Sequence, residues 1–139
     1  VSSAPQIRYP DFYGIDMSAL DSLIAFRAAV ELTKEAGNEQ LLTEVYNKCV
    51  EQENLPALEQ KNYVSEIYSQ FTDEEISRKI AELITPNDID IDIRIVFQSL
   101  EGLHAACPNH TGDWYFSGHY PTPGGVRMLG KAYIAYYMA

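Results

Sequence analysis

Between Asn38 and Val50 the apolar residues Leu41, Leu42, Val45, Tyr46, Cys49 and Val50 recur at i, i+1, i+4, i+5, i+8 and i+9. That spacing keeps them on one side of an α-helix and cannot be placed on one face of a strand. A helix with one apolar stripe has to bury it against other elements, so this stretch predicts a core built by helix-on-helix packing. Its neighbours follow the same logic. Upstream, Ser18 offers a cap with Asp21 three residues on, Leu20, Leu23 and Ile24 make an apolar stripe, and Gly37 supplies a left-handed stop. Downstream, Pro56 interrupts, and a third helix is expected from about Ala57, with Leu58, Ile67, Tyr68 and Phe71 near one side. Thr72 and Glu75 form a capping box for a fourth, whose stripe is Ile76, Ile80, Leu83 and Ile84 before Pro86 ends it.

From Ile89 to Phe97 the period changes to two, with Ile89, Ile91, Ile93 and Ile95 on one face and Asp90, Asp92 and Arg94 on the other. This predicts a strand. One strand leaves both edges unpaired, so it needs the N-terminal extended segment, another copy of the chain or a further part of the protein beside it. A short helix is expected around Leu100 to Ala106. The aromatic run Trp114 to Tyr120 reads as a turn, and a last helix from about Val126 carries Leu129, Ala132, Tyr133, Tyr136 and Tyr137.

The chain has 139 residues, enough for one domain with a real core, and its hydrophobic fraction of 46% places it with globular rather than disordered sequences. A formal charge of -10 argues against a binder of nucleic acid or anionic membrane, since such affinity rests on Lys and Arg displacing counterions. There is no apolar run of membrane-spanning length and no signal pattern in Val1-Ser2-Ser3-Ala4-Pro5. Cys49 and Cys107 form no disulfide framework. A soluble chain from the cytoplasm is the expectation, and the start at Val1 implies that it was cut from something longer.

Two blocks carry a family resemblance. The first is Ser3-Ala4-Pro5-Gln6-Ile7-Arg8-Tyr9-Pro10-Asp11-Phe12-Tyr13-Gly14-Ile15-Asp16-Met17, continued by Leu23-Ile24-Ala25. The second is Val96-Phe97-Gln98-Ser99-Leu100-Glu101-Gly102-Leu103 with Phe116-Ser117-Gly118-His119-Tyr120-Pro121-Thr122. In content and order they resemble the C-terminal region of glutamine phosphoribosylpyrophosphate amidotransferases, the amidophosphoribosyltransferases that open de novo purine synthesis. The resemblance implies a mainly helical α+β fold: the distal end of a type I phosphoribosyltransferase domain. Residues 1–37 and 87–139 are family-like, and 38–86 form a helical insertion. The periodicity and capping from Asn38 to Ile84 predict that the inserted helices pack largely on one another as an added subdomain.

The same resemblance implies an enzyme whose full length hydrolyses glutamine and uses the ammonia to displace pyrophosphate from phosphoribosyl pyrophosphate, with Mg²⁺. The expected partners are the rest of the polypeptide and further copies in a homo-oligomer. Within this chain no catalytic, cofactor-binding or metal residue is assigned. The glutaminase reaction needs an N-terminal cysteine, where this chain has Val1. The transferase reaction needs paired acids followed by a Gly-containing phosphate loop. Asp88, Asp90 and Asp92 alternate with isoleucines and no such loop follows.

Other candidates have ordinary readings beside the functional ones. His104, Cys107 and His110 recur every three residues, as zinc ligands could, with Asp113 or His119 as a fourth. Pro108 breaks any common helix face, which favours Cys107 packing at a helix end and histidines at the surface. Trp114 to Tyr120 could form a ligand platform but reads better as a core plug or subunit contact. Tyr133, Tyr136 and Tyr137 share nearly one helical face and read as packing. A free-standing helical module with an acidic surface for a basic partner is the alternative function.

Some relatives in this family hold an iron–sulfur cluster through cysteine thiolates. The positions matching those cysteines are Asp11, Gly112 and Tyr115, and Cys107 lies several residues out of register. A cluster is therefore predicted absent. The full gene product, expressed anaerobically with iron, should contain background iron and acid-labile sulfide and show no visible absorption band. A stoichiometric brown protein would overturn the placement of the blocks.

Overall fold

The computed structural model describes residues 20–88, 90–109, 112 and 122–139. Among them are six α-helices: α1 (Ile24–Glu35), α2 (Glu39–Gln52), α3 (Ser65–Tyr68), α4 (Asp73–Ile84), α5 (Leu100–Ala106) and α6 (Pro123–Met138). Two 3-10 turns, Leu20–Ser22 and Ala57–Glu59, complete the regular elements. Helix α1 lies against α4, α3 and α2, and α2 lies against α6. One core takes Ala25, Phe26, Ala29 and Val30 from α1, Val45 and Cys49 from α2, Ile67 and Tyr68 from α3, Ile76 and Ile80 from α4, and Leu129 and Tyr133 from α6.

Helix ends set by neighbouring residues fall where the pattern puts them. The Thr72 hydroxyl accepts from the Glu75 amide at 3.2 Å, while the Thr72 amide donates to Glu75 Oε2 at 2.8 Å. This satisfies donors at the first turn of α4 from both directions. Gly37 has φ +70° after α1, the left-handed stop that its lack of a Cβ permits. Ser99 caps α5 by accepting from the Gly102 amide at 3.0 Å. Helix α6 begins at Pro123, three residues before the expected Val126, because proline suits a first helical position that needs no N–H. The expected Ser18 cap lies outside the described residues. Helix α1 itself starts at Ile24, after the 3-10 turn.

Three expectations need correction. The third helix is not continuous from Ala57: a 3-10 turn and an irregular stretch precede the four-residue α3. The reason is a long-range clamp. The buried Gln52 side chain donates to the Lys61 carbonyl and accepts from the Lys61 amide, both at 2.8 Å, so Lys61 spends its backbone groups on α2. Asn62 then accepts from the amide of Ser65, the first residue of α3, at 3.1 Å.

Second, the α+β reading with a type I phosphoribosyltransferase sheet is overturned: the regular elements among the described residues are all helical, with no strand. The segment after Pro86 keeps the burial alternation of an extended chain, since Ile93, Ile95 and Phe97 are half-buried while Arg94 and Val96 are exposed. What it lacks is a ladder. No backbone group from Asp90 to Phe97 takes a hydrogen bond among the described residues. Third, the helices of 38–86 do not pack mainly on one another. Helix α4 rests on α1 and α2 rests on α6, so the core is shared with the flanks.

Gln52→Leu should destabilise the chain by about 1–3 kcal/mol in urea unfolding, because the Lys61 amide and carbonyl lose their partners. Thr72→Ala should cost about 1 kcal/mol, the ordinary value of an N-cap. Phe26→Ala, at the fully buried centre, should cost about 3–5 kcal/mol.

Candidate functional site

The spacing of Tyr133, Tyr136 and Tyr137 on α6 turns three phenols toward α1 and α2. Tyr133 is fully buried, and its hydroxyl donates to the Leu42 carbonyl at 3.0 Å. Phe26 meets Tyr133 edge-on with ring centroids 6.1 Å apart, and Tyr136 likewise at 5.4 Å. Tyr137 stacks on Tyr46 at 4.5 Å, and its hydroxyl shares a 2.8 Å hydrogen bond with the Thr43 hydroxyl. These are favoured aromatic geometries, and they bear out the packing reading of the tyrosines.

Beside this cluster lies an open groove of about 510 Å³, walled by Leu20, Val30, Leu42, Ala132 and Tyr136, with Lys34 and Asp21 also lining it. Lys34 is already paired with Glu31 at 2.8 Å, and that hydrogen bond raises its pKa. Burial raises the pKa of Tyr136 and of Tyr133, so both phenols are neutral at physiological pH. The groove offers apolar contact area and no activated nucleophile.

Cys49 sits inside the core, where burial, helped by the Glu66 charge, pushes its thiol up to about 11. A nucleophilic or metal-binding cysteine needs the opposite shift. Cys107 is exposed just past the end of α5, and His104 is exposed in its last turn. The helix-end placement of Cys107 agrees with its ordinary reading, its packing there does not. His110, Asp113 and His119 lie outside the described residues, as do Trp114 to Tyr120. Asp88, Asp90 and Asp92 are all exposed. Among the described residues no group of three His, Cys, Asp or Glu side chains is placed to hold a metal ion.

One polar arrangement escaped the sequence pattern. The Lys79 side chain is covered to 6% exposure, and its Nζ reaches Glu35 Oε1 of α1 and Glu82 Oε2 of its own helix, both at 2.7 Å. The hydrogen bond it donates to Glu35, then the one it donates to Glu82, raises its pKa. The i,i+3 partner Glu82 is visible in sequence, but Glu35 is 44 residues away. Both carboxylates are more than half exposed, so water screens the pair and the aliphatic stem carries much of the contribution. This is a clasp between α1 and α4.

No protein-family model, curated protein or solved structure matches the chain. No helix among the described residues is long and apolar enough to cross a membrane.

Cys49, Lys79 and Tyr133 all have raised pKa values in the folded state, so each holds its proton more tightly there than in the unfolded chain. Stability from these groups is complete below the unfolded pKa values and falls as pH rises through the folded ones. The melting temperature should hold from neutral pH to about 9 and decline above it, Cys49 contributing first. Cys49→Val should remove the earliest part of the decline. Lys79→Met, which keeps a long apolar stem, should cost no more than about 1 kcal/mol, and Lys79→Ala should cost more.

Proposed function

We propose that this chain is the C-terminal, non-catalytic part of an amidophosphoribosyltransferase, acting in the cytoplasm at the first committed step of de novo purine synthesis. The observation that carries the reading is the ordered pair of blocks, Ser3 to Met17 and Val96 to Leu103 with Phe116 to Thr122. The reading does not require a type I phosphoribosyltransferase sheet in these residues. Its partner is the remainder of the same polypeptide, which supplies the cysteine nucleophile, the phosphate loop and the Mg²⁺ site.

The chemistry of the described side chains supports a structural role. The Cys49 thiol is shifted away from reactivity, Tyr133 and Tyr136 are held neutral by burial and engaged in packing, and Lys79 is held between two carboxylates. What the chain contributes to such an enzyme is a helical body in which α1, next to the first block, is braced by α4 and α3.

The full gene product should release pyrophosphate from phosphoribosyl pyrophosphate with glutamine, and with ammonia in its place. The 139-residue chain by itself should give the background rate in both assays. A clear rate from the chain alone overturns the structural role. A full product with no activity and no encoded catalytic cysteine overturns the family reading in favour of the acidic helical module.

A further inference from the structure

The segment from Asp90 to Val96 combines three properties that call for a partner. Its backbone takes no hydrogen bond among the described residues. Its burial alternates from Ile93 to Phe97, and Ile93, Ile95 and Phe97 line a groove of about 490 Å³ with Asp73, Arg78 and Ala81 of α4, a groove that the exposed Arg94 and Val96 also border. Ile91 continues the apolar face yet stands 52% exposed. An extended segment whose apolar side chains face a helix and whose edge is unpaired among the described residues is a template for strand addition.

We propose that the occupant of this edge is the same segment of a second copy, paired antiparallel about a two-fold axis through Ile93. The charge pattern favours a second copy in the register that sets each Asp92 against an Arg94. Around Ile93 each Asp92 lies opposite the other copy's Arg94, twice by symmetry, and each Ile91 lies opposite an Ile95 on the α4 side. Asp90 then faces Val96. An axis through Asp92 would set Asp92 against Asp92, one through Ile91 would set Asp90 against Asp92, and one through Arg94 would set Arg94 against Arg94. A parallel pair in register would oppose every charge to its own kind. Only the Ile93 register among these is free of like-charge pairs, and isologous contact of this kind closes at two subunits.

The interface is small, so a concentration-dependent dimer is expected rather than a permanent one. Its stability draws on the ribbon lying over α4 of both copies, since an isolated two-stranded ribbon is marginal in water. The pairing stands on the geometry of this segment and does not depend on the enzyme reading.

Sedimentation velocity on the 15.7 kDa chain, from about 1 μM to about 300 μM, should show its mass rising toward twice that value. Asp92→Arg and Arg94→Asp should each weaken the dimer about tenfold, because like charges then meet at both symmetric positions. Mixing the two variants in equal amounts should restore it, since every Arg of one chain then faces an Asp of the other. Asp92 and Arg94 are both exposed, so helicity by circular dichroism should be unchanged. A wild-type chain that remains monomeric throughout, single variants that dimerise as well as wild type, or a mixture no tighter than either variant alone would each overturn the proposal.

Discussion

Helix α1 buries Ala25, Phe26, Ala28, Ala29, Val30 and Thr33, so it has to be walled on more than one side. Small residues make that possible. Ala25, Ala28 and Ala29 have no measurable exposure, and side chains of that size let neighbouring backbones come close while Phe26 fills the remaining space. The Thr33 hydroxyl, buried in the same helix, donates to the Ala29 carbonyl at 2.8 Å and so brings no unpaired polar group inside. α4 and α3 close on α1 directly, and the rings of α6 close on Phe26, so removing any of these walls uncovers the same core. The expectation of a self-contained helical insertion fails for this reason: its helices have α1 and α6 as their main apolar neighbours.

What could be read in advance divides by the range of the interaction. The Thr72–Glu75 capping box and the Gly37 stop depend on residues within one turn, and the structure places both where the sequence does. The stretch after Pro56 contains no glycine or proline to interrupt a helix through Phe71, yet the Gln52 amide draws the Lys61 backbone out of helical pairing from nine residues away. Local propensity is a weak prior against such a contact. In the segment after Pro86 the alternation of faces expected from the period of two holds from Ile93 to Phe97 and not at the exposed Ile91, but a sheet also needs a neighbour, and no period in one segment encodes where that neighbour is.

The candidate site shows the same division. Burial of Cys49 follows from its place in the i, i+4, i+8 row of α2, and the packing of Tyr133, Tyr136 and Tyr137 follows from their spacing. The Lys79 clasp does not, because a lysine near the middle of α4 reads as solvated until Glu35 is seen to approach it across the helix pair. His104 and Cys107 share a three-residue spacing that suits ligands, but both lie exposed at the end of α5, a helix of seven residues with no buried side chain.

Electrostatics limits how copies of this chain can meet. With 20 acidic residues against 10 Lys and Arg, two copies repel one another at long range. At physiological salt that repulsion is screened beyond about 8 Å, so contact is decided by the charges that face each other locally. Lys34, Lys48 and Lys79 are each engaged by carboxylates of their own chain, which removes three cations from the set that could serve a partner. Arg94 is a cation of the extended segment after Pro86, with acids at alternate positions Asp90 and Asp92. Two copies can therefore approach along this segment in an arrangement that sets cation against acid, whereas contact between two mainly acidic helical surfaces would have to work against their charge.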